Sequence, residues 1–168
     1  VNYANANDEA RDAFYGVVEF TVTGSERIDV LLTRPFAQLN VGVTTDDYNA
    51  AKASGVTIKN SWAKVEKVYN TLNLFDGSVA GETTATFAMA ATPKAANETL
   101  TVGQDAFQYL SMNYVLVNER ENVAAEFEFA TDSYVDEDNK GKTITFNSGL
   151  DVIPVQRNYR TNLVGQIL

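Results

Sequence analysis

The chain has 168 residues, enough for one domain with a sizeable core, and its 22 Asp and Glu against 13 Lys and Arg give a net charge of -9. Nucleic acids and anionic membranes are therefore not expected as partners, because both are bound by basic surfaces. Cys and His are absent, which removes thiol nucleophiles, imidazole bases, disulfides and the usual zinc ligands. We expect no enzyme activity, no metal and no cofactor.

The order of polar and apolar residues predicts an all-β protein. Residues 1–12 are polar and aperiodic, so we predict a flexible lead-in followed by a single domain over residues 13–168. Alternating residues predict strands at 14–23 and 28–32, separated by a turn at Gly24-Ser25. Pro35 interrupts the pattern, and further strands are predicted at 37–43, 56–59, 63–69, 84–90, 107–117, 123–130, 143–146 and 152–168.

One short helix is predicted among the strands. Thr45, Asp46 and Asp47 are typical of a helix start, and Gly55 would end a helix that runs to Ala53. Many short strands joined by polar turns indicate a two-layer antiparallel β-sandwich. The parity of the strands predicts a core made of Phe20, Ile28, Val30, Leu39, Val41, Phe87, Leu110, Met112, Tyr114, Leu116, Phe127, Phe129 and Phe146.

Two groups of acidic residues resemble a catalytic pair and a metal-binding loop. Glu126 and Glu128 lie two residues apart and therefore share one face of a predicted strand. Such a polar face is typical of the solvent-facing side of an antiparallel sheet. A glycosidase would need two carboxyl groups on either side of one bond, and one of them would need a raised pKa. The segment Asp136–Gly141 begins like a calcium loop but has Lys140 at the fifth position and Asn147 at the twelfth. We interpret the first pair as a solvent face and the second segment as a hairpin turn.

Aromatic residues and the first arginine allow two further interpretations. The chain has 8 Tyr, 9 Phe and 1 Trp, which is Trp62, and an exposed aromatic platform would suit sugar rings. A core role is the alternative and the favoured one. Asn97-Glu98-Thr99 matches a glycosylation sequon, to which we give no weight. Arg11 ends the polar lead-in and is a candidate protease cleavage site, or else an ordinary loop arginine.

Three blocks of sequence resemble the fimbrillin-like surface proteins of the Bacteroidetes, the type V pilin superfamily. They are LLTRPFAQLNVGV from Leu31, YLSMNYVLV from Tyr109, and PVQRNYRTNLVGQIL from Pro154. The resemblance extends over about residues 14–168, although only these blocks are specific. The chain departs from the pattern in carrying no lipobox Cys and one predicted domain where pilins commonly have two.

The resemblance implies a transthyretin-like sandwich at the cell surface or outer membrane. Relatives are exported as lipoproteins, so we expect a lipid-anchored parent protein whose signal is not in this sequence. The implied function is a non-catalytic structural or adhesive fimbrial subunit, with other surface subunits, host or microbial glycans, or proteins as partners. The alternative is a glycan-binding module of a surface lipoprotein.

Strand exchange is the assembly mode that the resemblance implies. In some relatives an arginine-specific protease removes the first strand, and a strand from a neighbour fills the groove. Here the apolar end of the chain is a candidate pairing edge, with Leu163, Val164, Ile167 and Leu168 as its apolar residues. The favoured alternative is that this segment completes the domain's own sheet.

Overall fold

The computed structural model describes residues 1–93, 99–131, 143–146 and 150–168. The all-β class with one short α-helix is confirmed in these ranges. After a 3-10 turn at Glu9–Arg11, the elements are β1 (Phe36–Thr44), α1 (Thr45–Ala53), β2 (Ile58–Leu72), β3 (Val79–Ala91), β4 (Thr99–Val102), β5 (Asp105–Leu116), β6 (Arg120–Thr131), β7 (Thr143–Phe146), β8 (Ile153–Gln156) and β9 (Arg160–Gly165).

The strands form one curled sheet of mixed direction. Their order is β7-β6-β2-β5-β1-β9, with β3 on β2, β4 on β5 and β8 on β6. Every pairing is antiparallel except that of β1 with β9, which is parallel. The expectation of purely antiparallel pairing is therefore wrong at this edge. A single residue pair, Tyr69 with Leu116, joins β2 to β5, so these two strands share very little of the sheet's ladder.

The pairing of β1 with β9 brings together two of the three distinctive sequence blocks. The side chain of Asn40 donates a hydrogen bond to Asn162 Oδ1 at 2.8 Å, and Gln38 donates to Asn40 at 3.0 Å. At the start of the pair, the backbone N–H of Asn158 donates to Phe36 O at 3.0 Å. Because Gln38 and Asn40 are buried, these amide contacts satisfy polar groups that would otherwise destabilise the sheet.

The main core is built from side chains of β1, β2, β3, β5, β6 and β8. Nine of the predicted core residues are buried, namely Leu39, Val41, Phe87, Leu110, Met112, Tyr114, Leu116, Phe127 and Phe129, while Phe146 is half-buried. Phe127 and Phe129 stack with ring centroids 6.4 Å apart. The prediction of which residues are buried is thus confirmed for the strands from β1 onwards.

A bulge in β5 divides its buried residues between two clusters. The register with β1 shifts between Val41, opposite Ser111, and Gly42, opposite Tyr109. Leu110 is left without a partner in β1 and faces the main core. A second cluster forms on the other face of the sheet from Leu100, Phe107, Tyr109, Met112 and Tyr114. The extra residue reverses the parity, which simple alternation along β5 does not reveal.

The two strands predicted at 14–23 and 28–32 are absent. Within this described segment the only strand-like contact is an isolated bridge between Tyr15 and Thr33, closed by backbone hydrogen bonds of 3.0 and 2.9 Å. Phe20, Ile28 and Val30, predicted to be buried, are 56%, 37% and 45% exposed. The alternation is real, but nothing in the described chain covers the apolar side, and a lone hairpin is marginally stable in water.

The predicted helix is confirmed at Thr45–Ala53. Its cap is one residue earlier than expected, because Thr44 Oγ1 accepts from the backbone N–H of Asp47 at 3.3 Å. Gly55 follows the helix in a left-handed conformation, with φ of 81°, as helix ends commonly require. The calcium-like segment and the sequon residues Asn97 and Glu98 lie outside the described residues.

Candidate strand-pairing site

The first twelve residues lie against the sheet, which differs from the predicted flexible lead-in. Asn5 forms a parallel bridge with Ala88 of β3. The N–H of Ala6 donates to Ala88 O at 3.0 Å, and the N–H of Ala88 donates to Ala4 O at 2.7 Å. Ala6 is only 2% exposed and belongs to the main core. Residues 1–12, called the N-terminal segment below, therefore pair at Ala4–Ala6 with one residue of β3, Ala88, on the edge that β2 leaves free.

Asn7 joins the N-terminal segment to three strands. Its side-chain nitrogen donates to Ser61 Oγ in β2 at 2.7 Å and to Ala91 O in β3 at 2.8 Å. Its side-chain oxygen accepts from the N–H of Met112 in β5 at 3.0 Å. Asn7 has a positive φ of 59°, a conformation that Asn tolerates better than most residues. One side chain thus links β3, β2 and β5.

Tyr3, nearer the start of the N-terminal segment, also bonds to both β2 and β5. Its hydroxyl donates to Tyr69 O and accepts from the N–H of Leu116 at 3.0 Å. Tyr69 and Leu116 are the pair that joins β2 to β5. Burial raises the pKa of Tyr3 to about 12, against the opposing effects of the Leu116 hydrogen bond and of Arg11. The phenol of Tyr3 therefore stays neutral and serves as a hydrogen-bonding group at the place where β2 pairs with β5.

Arg11 is held within the N-terminal segment. It ends the 3-10 turn Glu9–Arg11, its side chain is 19% exposed, and its Nε lies 3.3 Å from Asp8 Oδ2. Its guanidinium also donates to the carbonyl of Asn2. These contacts close the segment on itself. Arg11 is therefore a poor protease site in the folded chain, and its role as a cleavage site stays a prediction.

The C-terminal candidate edge is already paired on one side. Leu163 and Val164 lie in β9, opposite Val41 and Gly42 of β1. Beyond the strand, the N–H groups of Ile167 and Leu168 both donate to Asp47 Oδ2 at 2.9 Å. The segment thus completes the chain's own sheet, as the favoured alternative held. Among the described strands β9 pairs only with β1, and a groove of about 350 Å³ lies beside it, lined by Phe146, Leu150, Asn162, Leu163, Val164, Gly165, Gln166 and Ile167.

Residues 14–33, called the arm below, lie in the chain between the N-terminal segment and β1. Its base is fixed by the Tyr15–Thr33 bridge and by Arg34, which pairs with Asp12 and lies over the Phe14 ring at 4.4 Å. All residues from 16 to 32 are exposed. Sequence reasoning missed the exposed arm because it treated the alternating residues as core strands.

Glu126 and Glu128 face different neighbours in the paired strand β2. Glu126 lies opposite Lys64 and Glu128 opposite Trp62 in the β2–β6 register. Lys64, Glu66, Glu126 and Asp151 line a shallow polar depression. The pKa of Glu66 is lowered, chiefly by a hydrogen bond from Lys64, at 2.8 Å. This side chain is therefore ionised, whereas a general acid needs a raised pKa.

Comparison with known proteins identifies the family of this chain. The sequence matches, over residues 1–168, the profile of a family of unknown function, DUF6562. The chain belongs to the DUF6562 family. No curated protein sequence matches it. In the ranges that the structure describes, no helix is long and apolar enough to cross a membrane, and no cluster of three or more acidic side chains is suited to a metal ion.

Proposed function

We propose that this DUF6562 protein is a non-catalytic structural or adhesive subunit of the cell surface that assembles by strand complementation. The observation that carries the proposal is the N-terminal segment, which bridges to the free edge of β3 and bonds through Tyr3 and Asn7 to both β2 and β5. A strand from a neighbouring subunit could occupy the same position. The resemblance of three sequence blocks to fimbrillin-like proteins supports the same function.

Strand complementation suits the chemistry of this edge. An added strand gains main-chain hydrogen bonds along its length, and side-chain sites at alternate positions give specificity. The N-terminal segment already uses both kinds of contact: main-chain bonds to Ala88 and side-chain bonds from Tyr3 and Asn7. A donor strand would need an aromatic residue and an amide four positions apart to replace them. The partners of such a subunit are other surface subunits, with the parent protein lipid-anchored at the outer membrane.

Cleavage behind the N-terminal segment tests the proposal. A site for a sequence-specific protease is inserted after Asp12 in the full chain, and the cut protein is incubated at high concentration. We expect oligomers that resist mild detergent to form only after cutting, because the resident segment can then leave its position. A control chain carries a scrambled site of the same length. If the cut protein releases the segment and remains monomeric, strand complementation at β3 is wrong.

A further inference from the structure

Trp62 lies on the outer face of the sheet, away from the main core. Its two neighbours in β2, Ser61 and Ala63, are fully buried, whereas Trp62 is half-buried. Because side chains alternate between the two faces of a strand, Trp62 shares its face with Lys64 and Glu66. Ala63, on the opposite parity, belongs to the main core. The sole Trp of the chain is therefore presented on a surface.

Polar residues of the neighbouring strands surround Trp62 on this face. Two rows run across the strands: Trp62, Glu128 and Thr145 in the first, and Thr86, Lys64 and Glu126 in the second. Opposite residues have their Cβ atoms about 4.5 to 5.5 Å apart, so the rows form one patch, called the Trp62 face below. Thr86 and Thr145 are exposed. A single aromatic ring is therefore framed by carboxylates, an ammonium group and hydroxyls.

The indole of Trp62 is available to a ligand. In the part of the chain that the structure describes, its ring contacts no other aromatic ring and its N–H donates no hydrogen bond. Beside it is a polar depression of about 230 Å³, lined by Lys64, Glu66, Ala124, Ala125, Glu126 and Asp151. Enclosed ligand pockets are larger, about 300 to 1,000 Å³. The depression therefore suits one unit of an extended ligand that lies over the open face.

We propose that the Trp62 face binds a neutral saccharide. A sugar ring has an apolar face of C–H groups, which stacks on an aromatic ring, and a rim of hydroxyls that both donate and accept hydrogen bonds. Glu126 supplies an acceptor and Lys64 a donor one row away from Trp62. Hydrogen bonds to such charged groups are the strong ones. The proposal does not depend on the N-terminal segment or on strand complementation.

The charges of the Trp62 face exclude an acidic ligand. Together with the depression it carries one lysine, Lys64, and four carboxyl side chains, Glu66, Glu126, Glu128 and Asp151. Sugars with carboxylate or sulfate groups would be repelled, as would phosphates. A metal ion is disfavoured as well, because Lys64 Nζ lies 2.8 Å from Glu66 Oε1. Charge therefore favours a ligand with hydroxyls and no anionic group.

The surroundings of Trp62 also favour a sugar over a peptide or a protein. β2 is paired on both sides, with β3 and with β6, so its main chain has no free edge for an added strand. Charged residues are depleted at the centre of protein interfaces, whereas here Lys64, Glu126 and Glu128 adjoin the ring. A lone aromatic side chain amid charged groups therefore fits a small polar ligand best.

The fluorescence of Trp62 gives a direct test. Because Trp62 is the only Trp of the chain, a change in Trp emission reports on this ring alone. The full chain is screened on an array of immobilised neutral, uronic-acid and sulfated oligosaccharides, and the neutral one bound most strongly is titrated in solution. We expect a saturable change in emission with a Kd of roughly 0.1 to 1 mM. Binding of no neutral oligosaccharide, binding of acidic ones alone, or binding without a change in emission would each overturn the proposal.

Two matched pairs of variants locate the site. Trp62→Ala removes the ring, and Phe75→Ala removes an 89% exposed ring in the turn between β2 and β3. By isothermal titration we expect Trp62→Ala to raise the Kd at least about tenfold and Phe75→Ala to leave it unchanged. Glu126→Ala keeps the fluorescent ring and should raise the Kd about fivefold, whereas Glu119→Ala, at an exposed position, should not. Equal effects within either pair would overturn the proposal, and circular dichroism shows which variants keep the fold.

Discussion

The ring of Tyr3 meets the ring of Phe87 edge-on, with centroids 5.4 Å apart and planes at 70°. Phe87 is one of the largest fully buried side chains, so this contact makes the N-terminal segment part of the core. Edge-to-face aromatic pairs contribute about 0.5 to 1.5 kcal/mol beyond their buried area. The segment that the account treats as exchangeable is therefore also a stabilising part of the folded chain.

The amide of Asn7 is expected to stabilise the fold. Asn7→Gly keeps the positive φ available but removes the side chain that bonds to Ser61, Ala91 and Met112. Buried groups left without partners cost about 1 to 3 kcal/mol each, so we expect the free energy of unfolding to fall by about 3 kcal/mol in urea denaturation. The matched control is Asn5→Gly at an exposed position. Equal losses at the two positions would show that backbone flexibility, and not the amide, is responsible.

The raised pKa of Tyr3 predicts a loss of stability at alkaline pH. The folded chain holds the phenol proton more tightly than the unfolded chain does, with a pKa of about 12 against 10.0. The contribution of this proton to stability is therefore complete below pH 10 and is lost as the pH rises towards 12. The loss is about 2 kcal/mol for a shift of this size. Tyr3→Phe should lower stability at neutral pH, because its hydrogen bonds are lost. Between pH 10 and 12, however, the stability of this variant should decline less than that of the unchanged protein. Parallel declines in the two proteins would contradict a buried Tyr3.

Arg157 is expected to fasten two loops. Its guanidinium donates to Gly77 O at 2.7 Å and to Val117 O at 3.1 Å. The point charge of Lys cannot reproduce this fork, so Arg157→Lys should lower the free energy of unfolding by about 2 kcal/mol. Arg27→Lys is the control, because that side chain is 87% exposed and pairs only with Asp29 in the described chain. The account of Arg157 fails if both variants unfold at the same denaturant concentration.

An arginine-specific protease should cut the folded chain at Arg27 well before Arg11. Arg27 lies in the exposed arm, on backbone without main-chain hydrogen bonds in the described structure, whereas Arg11 is 19% exposed and paired with Asp8. Proteases prefer such accessible loops. Mass spectrometry of a time course should show the Arg27 cut at least ten times faster. Earlier cutting at Arg11 would mean that the N-terminal segment opens readily.

Alternation predicted β1, β2, β3, β5 and β6 because each has one face against a common core. The same signal was misleading at Phe20 and Val30, since a period of two shows that a strand has an apolar face and cannot show what covers it. The N-terminal segment gave no signal at all. Its fit depends on single contacts of Tyr3 and Asn7 with residues more than 50 positions away, which no local pattern contains. The bulge at Leu110 was hidden for a similar reason, because it appears only against β1.

The proposal depends most directly on residues 1–12 being an exchangeable segment. The chain is cut after Asp12 through the inserted protease site, the released segment is removed in mild denaturant, and a fluorescent peptide of residues 1–12 is added. The account predicts that the peptide binds with one-to-one stoichiometry and restores the melting temperature, and that a peptide with Tyr3→Ala and Asn7→Ala binds at least 100-fold more weakly. Equal binding of the two peptides, or a cut protein that keeps its full stability with no peptide, would contradict the claim.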